Sequence, residues 1–213
     1  MPEPRPVVFL LNDEQPVVVD LAQMLLSSGF AVRYWTSAAE FLEAHDPEAP
    51  GCLVTDLRMS GMGGLELQRA LLERGSHRAI VFITAPGDIP TTVQAMKAGA
   101  VSCLSKPVRH AELVAAVEEA ILEDAQGRAQ HREREVVVRR LASLTPRERQ
   151  VLDLVATGML NKQIAAELGA AEKTIKVHRG RIMEKMQVRT ATALVGLLSR
   201  AELQGDAGRR PVP

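Results

Sequence analysis

Four side chains in the first half of the chain have the types and spacing to handle a phosphoryl group: Asp13, Asp56, Thr84 and Lys106. Each follows a short apolar run: VVFLL before Asn12-Asp13-Glu14, CLVT before Asp56, IVFI before Thr84, and VSCLS before Lys106-Pro107. Four strand–helix units then end in an acid, an acid, a hydroxyl and a base. In an open parallel sheet the strand C-termini share one crevice, where ligands bind. An aspartate is a poor nucleophile toward phosphorus unless a cation offsets the incoming charge. Mg²⁺ takes one or two carboxylates plus phosphate and water, and Asp13 and Asp56 supply such a pair. Taken singly, a carboxylate at a strand end caps a helix or faces water, and a Lys-Pro pair is a loop. The signal is the combination.

The elements that must position these groups alternate in type. Val7–Leu11 is continuously apolar, as buried parallel strands are. A helix over Gln15–Ser28 follows, with Val18, Leu21, Ala22, Leu25 and Leu26 on one face and Gly29 as its stop. Ala31–Tyr34 reads as a strand, and Ser37-Ala38-Ala39-Glu40 as a capping box opening a short helix to His45. Cys52–Thr55, Ala79–Thr84 and Val101–Ser105 read as further strands. Helices fall over Gly64–Arg74, over Asp88–Ala98 and from Arg109 onward. The pattern predicts an α/β, doubly wound, five-stranded parallel sheet over residues 1–122.

Residues 123–143 depart from that rhythm. They are rich in Arg, Glu, Gln and Ala, and suit either a helical extension, as linker or coiled stalk, or a flexible charged linker weakened at Gly127. Thr145-Pro146-Arg147-Glu148 then opens a separate all-α domain over 144–203: an N-cap, a proline at N1 and a capping-box glutamate. Its first helix carries Val151, Leu152, Leu154 and Val155. Asn161 is placed to cap a second helix over Lys162–Leu168. A third runs Glu172–Met186 and a fourth from Thr190 to about Ala201, before a disordered polar tail over 204–213. The second helix, a glycine-containing turn and the longer third helix make a helix-turn-helix.

The totals agree with two domains of different work. The 213 residues carry no net charge, but residues 1–121 hold 9 basic against 15 acidic residues and residues 144–213 hold 12 against 7. An acidic front suits a cation, and a basic back suits nucleic acid. Cys52 and Cys103 lie in strand-like runs and form no disulfide framework or metal cluster, which suits a reduced, cytoplasmic protein. No leader pattern opens the chain and no apolar run reaches membrane-spanning length.

These motifs carry two resemblances. Residues 6–122 resemble the receiver domain of bacterial two-component response regulators, specifically the FixJ-like members. TPRERQVLDLV, GMLNKQIAAELG and KTIKVHRGRIMEKM, over residues 144–200, are similar to the LuxR-type (GerE or NarL-type) helix-turn-helix. The first resemblance implies that the sheet is of flavodoxin-like type and that Asp56 is the phosphoacceptor, supplied by a sensor histidine kinase. It also implies that Asp13, Asp56 and the backbone carbonyl of Arg58 hold Mg²⁺. Lys106 then pairs with phosphoryl oxygens, Thr84 hydrogen-bonds to one, and the peptide before Pro107 is cis. The second implies binding to double-stranded DNA, as a dimer formed on the fourth helix through Ala193, Leu194, Leu197 and Leu198. The third helix would enter the major groove, with Lys173, Thr174, Lys176, Val177, Arg179, Arg181 and Lys185 outward. Lys176 and Val177 lead as base contacts and Lys162 reaches the backbone, whereas His178 lies toward the core.

Departures from the family pattern are specific. Asn12 replaces an acid, so Mg²⁺ is expected to bind more weakly, with the amide acting through water. Cys103 stands at the switch position of an inward-moving aromatic, Val108 at a Phe, Ser60 at a Pro and Pro86 at a His. Ala171 replaces a Ser or Thr cap, at a cost of roughly 1 kcal/mol, and Gly180 falls mid-helix. Every aromatic precedes residue 83, which leaves no platform for stacking single-stranded bases. The expected protein is a transcription regulator switched by phosphorylation. The alternative within that class is a receiver that acts without phosphate, as a dimerisation or partner-binding module, and a redox switch at Cys103 is a third. A phosphotransferase or hydrolase using Asp56 is disfavoured, because no second acid stands at Arg58 and no phosphate-binding glycine loop is present.

Overall fold

Val7–Leu11 (β1), Ala31–Trp35 (β2), Gly51–Asp56 (β3), Ile80–Thr84 (β4) and Ser102–Ser105 (β5) form one parallel sheet in the order β2-β1-β3-β4-β5. This is a computed structural model, and it describes residues 5–207. The strand order reverses between β1 and β3, which pair in register from Val7↔Gly51 to Leu11↔Thr55. That reversal opens the crevice of a doubly wound sheet at the C-terminal ends of the same two strands. β3 and β4 are buried along their whole length, as their unbroken apolar runs require, whereas the edge strand β2 is half exposed.

Helices cover both faces. Val18, Leu21 and Leu25 of α1 (Gln15–Ser27) and Leu113, Val117 and Ala120 of α5 (His110–Ala142) pack with Val8, Leu10 and Val81. On the other face, Phe41 of α2 (Ala38–Ala44), Leu67 and Leu71 of α3 (Gly64–Glu73) and Ala95 of α4 (Ile89–Lys97) pack with Phe9, Leu53 and Phe82. Gly51, at φ 134°, begins β3 where a Cβ would collide with the Val7 carbonyl. Its N–H donates to Asp124 Oδ2 at 3.0 Å, and its carbonyl accepts from Arg78 Nη1 at 3.0 Å. Burial raises the Asp124 carboxyl against the opposing pull of Gly51, Arg78 and Arg128. This charged cluster fixes α5 to the lower edge of the sheet beyond its apolar contacts.

The stretch read as either helix or flexible linker is helical. α5 runs unbroken through Gly127 to Ala142, and the chain divides into two compact units at Arg128 and Ala129. The second unit contains α6 (Pro146–Ala156), α7 (Asn161–Glu167), α8 (Glu172–Met186) and α9 (Ala191–Ala207). Its core gathers Val151, Leu152, Ile164, Ile175, Ile182, Met186 and Leu194. α9 extends through Gln204–Ala207, where a disordered tail was expected, and residues 208–213 lie outside the described residues. No helix among the described residues is long and apolar enough to cross a membrane.

Candidate phosphoryl-accepting and DNA-reading sites

The last residue of β3 is Asp56, buried at 4 % exposure beside Asn12 at 1 % and Thr84 at 5 %. A carboxylate out of water needs charge or hydrogen-bond partners, and Asp56 has three among the described residues. Lys106 Nζ forms an ion pair with Oδ2, the Arg58 N–H donates to Oδ1 at 3.0 Å, and Asn12 Nδ2 donates to Oδ2 at 3.4 Å. Lys106 is one-third exposed and closes the rim from β5, followed by a cis peptide to Pro107. Asp13, half-buried, accepts from the Ser60 N–H at 2.6 Å. That bond holds its carboxyl below the usual range, against a smaller upward pull from burial. Gly64 lets α3 start against this floor, since a Cβ there would stand 2.5 Å from the Asp56 carbonyl and 2.8 Å from Phe82.

The structure therefore brings Asn12, Asp13, Asp56, Thr84, Lys106 and the Arg58 backbone to one crevice. Among the described residues no three His, Cys, Asp or Glu side chains converge as a metal cage. A half-buried carboxylate at the rim, Asp13, above a buried one, Asp56, nevertheless fits Mg²⁺, which keeps several waters and takes the rest of its ligands from phosphate. Asn12 Oδ1 is engaged by the Glu14 N–H at 2.8 Å, so its amide presents a donor to Asp56. The Arg58 side chain turns away, with Nε 2.8 Å from Asp88 Oδ2 at the N-cap of α4. Cys103 is half-buried on β5 opposite Phe82, and burial raises its thiol, which favours the unreactive protonated form.

In the second unit Thr145 caps α6 as its sequence predicts. Its Oγ1 accepts from the Glu148 N–H at 3.2 Å, and Glu148 Oε2 accepts from the Thr145 N–H at 2.9 Å. Behind this frame, Ile175, Ile182 and Met186 of α8 face the core. Lys173, Thr174, Lys176, Val177 and Arg181 are exposed, as is Lys162 at the start of α7.

Several placements differ from the expected ones. Lys185 turns inward: Nζ lies 2.7 Å from Glu148 Oε2 and 2.9 Å from the Ser143 carbonyl. The cause is Glu148, which is 3 % exposed and needs a cation; Lys185 and the Thr145 N–H hold its carboxyl at about 2. Arg179 is half-buried and donates to Asn161 Oδ1 at 2.9 Å. Asn161 is consequently the first residue of α7 rather than its cap, and Gln163 Oε1 accepts from the Leu160 N–H instead. His178, by contrast, lies toward the core as expected: it is half-buried, with Nδ1 shielded and without a hydrogen-bond partner among the described residues. Leu194 is fully buried in its own unit and Leu197 and Leu198 pack against that core, so of the four α9 residues assigned to a dimer face only Ala193 is exposed.

A flavodoxin-like sheet followed by a helix-turn-helix is the domain pair of a two-component response regulator. Residues 8–118 match the response regulator receiver domain, and residues 142–198 match the bacterial regulatory proteins of the luxR family. The chain is 44 % identical over 207 residues to the transcriptional regulatory protein FixJ of Azorhizobium caulinodans, covering 97 % of this chain and 96 % of the relative. It is 41 % identical over 194 residues to the response regulator protein TodT of Pseudomonas putida, covering 91 % and 86 %. Among solved structures, the response regulator StyR aligns with a TM-score of 0.79 at 46 % identity, covering 92 % of this chain and all of that one. Full-length FixJ from B. japonicum aligns at 0.57 and 36 %, covering 93 % and 98 %. The chain belongs to the FixJ- and TodT-like response regulators, which are transcription regulators with a LuxR-type DNA-binding domain and not enzymes. A receiver belongs to a family that typically uses Mg²⁺ for phosphorylation and implies a histidine kinase as its source of signal, and the helix-turn-helix implies DNA as the target.

Proposed function

We propose that Asp56 accepts a phosphoryl group from the phosphohistidine of a sensor kinase in the cytoplasm, and that this controls dimerisation and binding of α8 to promoter DNA. A carboxylate oxygen of Asp56 forms the new P–O bond as the P–N bond breaks, and the imidazole leaves with the electron pair. Lys106 neutralises the phosphoryl oxygens, and Thr84 donates a hydrogen bond to one of them. Mg²⁺ held by Asp13, Asp56 and the Arg58 carbonyl, with Asn12 acting through water, would offset charge on the incoming group. Such chemistry is mainly positioning and charge neutralisation. The observation that carries this reading is the buried Asp56 paired with Lys106 in the crevice that also holds Asp13 and Thr84.

On DNA, Lys176 and Val177 read base edges, while Lys173, Thr174, Arg181 and Lys162 contact phosphates or neighbouring bases. Arg179 and Lys185 reach DNA only by giving up the bonds that hold them. The two domains act as a receiver over residues 1–122 and a DNA-binding domain over 144–203, joined by the α5 extension. One observation favours a second reading, action without phosphate: Asn12 spends its amide on Asp56 where an acid would serve a metal. Intact mass after incubation with a small phosphodonor and Mg²⁺ separates the two. A gained phosphoryl group, absent in Asp56→Asn, is expected. No gain, with DNA binding intact, replaces the first reading by the second.

A further inference from the structure

The helix-turn-helix family match begins at residue 142, yet the unit it defines is built partly from residues before it. Val137 of α5 is 5 % exposed in the core of the second unit, and Leu141 packs against the same core. Between them Arg140, half-buried, donates from Nη1 to the Met186 carbonyl at 3.2 Å and from Nη2 to Gln187 Oε1. Met186 is the last residue of α8, and Gln187 is its C-cap, held in the left-handed region at φ 54°. The end of a helix has free carbonyls and the negative pole of the helix dipole, so a guanidinium there is favourably placed. In the reverse direction Lys185 of α8 donates to the Ser143 carbonyl just beyond α5, at 2.9 Å. The last turn of α5 and the last turn of the reading helix thus hold each other from both sides.

Resting on the reading of α8 as the DNA-binding helix, we infer that Arg140 is a positioning residue for DNA recognition, acting through the C-terminus of α8 and not through the DNA. The consequence is regulatory. Tight, sequence-selective binding requires the last turn of α5 to be helical, and fraying of that turn releases the far end of the reading helix.

The test uses the full-length chain, with a duplex enriched by the wild type from a random pool and a scrambled duplex of equal length. Arg140→Ala is expected to weaken binding to the enriched duplex roughly tenfold. It should leave the scrambled duplex and the salt dependence unchanged, because no phosphate contact is removed. Arg140→Lys recovers part of the loss, since one donor still reaches the carbonyl but the planar fork is gone. Gln187→Gly relieves the left-handed backbone while deleting the Oε1 acceptor. It is expected to melt no lower than the wild type and still lose about threefold in affinity, the scale of one hydrogen bond. Should Arg140→Ala fail to fold, this second variant decides alone. A salt slope reduced by about one in Arg140→Ala would make Arg140 a phosphate contact and overturn the inference. Wild-type binding by both variants would overturn it too. A wild type that enriches no duplex refutes the DNA-binding reading instead.

Discussion

The receiver and the DNA-binding unit handle charge in opposite ways. In the crevice the key groups are inside: Asp56, Asn12 and Thr84 are almost wholly buried, and Lys106 comes in over them from the rim. On α8 the key groups are outside: Lys173, Lys176 and Arg181 are exposed, and the core behind them is apolar. A buried group must be paired and is felt by the whole domain, because the interior does not screen it. Exposed cations are screened and contribute one at a time. Changes to the receiver frame should therefore act on folding and switching together, whereas changes on α8 should grade DNA affinity with little effect on stability.

The largest expected effect tests the first half of that contrast. Gly51→Ala places a methyl against the Val7 carbonyl at a backbone angle disfavoured for alanine, where Asp124 and Arg78 bond to the N–H and the carbonyl of this residue. It should cost more than about 3 kcal/mol, in the range of strained-backbone substitutions with a buried clash. Calorimetry should show the receiver melting earlier with the helix-turn-helix transition little moved. A receiver that melts as the wild type does would mean the strand start is far more pliant than its bonding suggests.

Next in size is Lys176→Ala. Loss of a base contact should weaken binding to a selected duplex by about 1–3 kcal/mol and relax specificity at one position. Lys173→Ala should instead weaken all sequences evenly and reduce the salt slope by about one. Unchanged binding in both would remove the outward face of α8 as the reading surface.

Within the second unit one site behaves like the receiver, and this sharpens the contrast. Thr145→Ala should cost about 1 kcal/mol of stability through the lost cap. Glu148, held at about 2 by Lys185 and the Thr145 N–H against an ordinary 4.5, binds its proton more weakly folded than unfolded. Its contribution is therefore full above about 4.5 and lost as pH falls toward 2. Lys185→Met should flatten that part of the unfolding profile, measured by denaturant titration at stepped pH. An unaltered profile would show that Lys185 faces solvent.

What could be read from sequence follows the same division. Asp13, Asp56, Thr84 and Lys106 were legible because each terminates an apolar run, and strand ends in a parallel sheet converge by topology alone. The capping box at Thr145 was legible because its two bonds are local. Lys185, Arg179 and Leu194 were misplaced because helical spacing assigns a face without revealing what stands opposite it. Lys185 lies at the edge of its helix face and is drawn in by Glu148, a residue distant in sequence. Arg179 is likewise drawn to Asn161, which removes the asparagine from its expected cap. The Asp124–Gly51 bond spans 73 residues and leaves no local trace. Gly127 lowers helix propensity, but docking on both sides of it outweighs that cost: Asp124 is bonded to the receiver and Val137 is buried in the second unit.

The smallest effect concerns the departure that separates this crevice from its family. Asn12 Nδ2 lies 3.4 Å from Asp56 Oδ2, so Asn12→Asp would set a second negative charge against a buried carboxylate. Two carboxylates at that distance repel unless a cation lies between them. The variant should thus be less stable than the wild type in chelator and should bind Mg²⁺ more tightly, by about threefold to tenfold for one added charge at a partly solvated site. The chain provides its own reporter. Trp35 is the sole tryptophan, and its carbonyl accepts from the Asn12 N–H at 3.3 Å. Fluorescence titration with Mg²⁺ reads the affinity, and urea melts with and without Mg²⁺ read the two stabilities. Opposite signs in chelator and in Mg²⁺ would identify the asparagine as a tuning residue that trades metal affinity for a quiet apo crevice. Equal Mg²⁺ affinity in the two proteins would mean that position 12 lies outside the metal's reach, and that its amide serves only to satisfy Asp56.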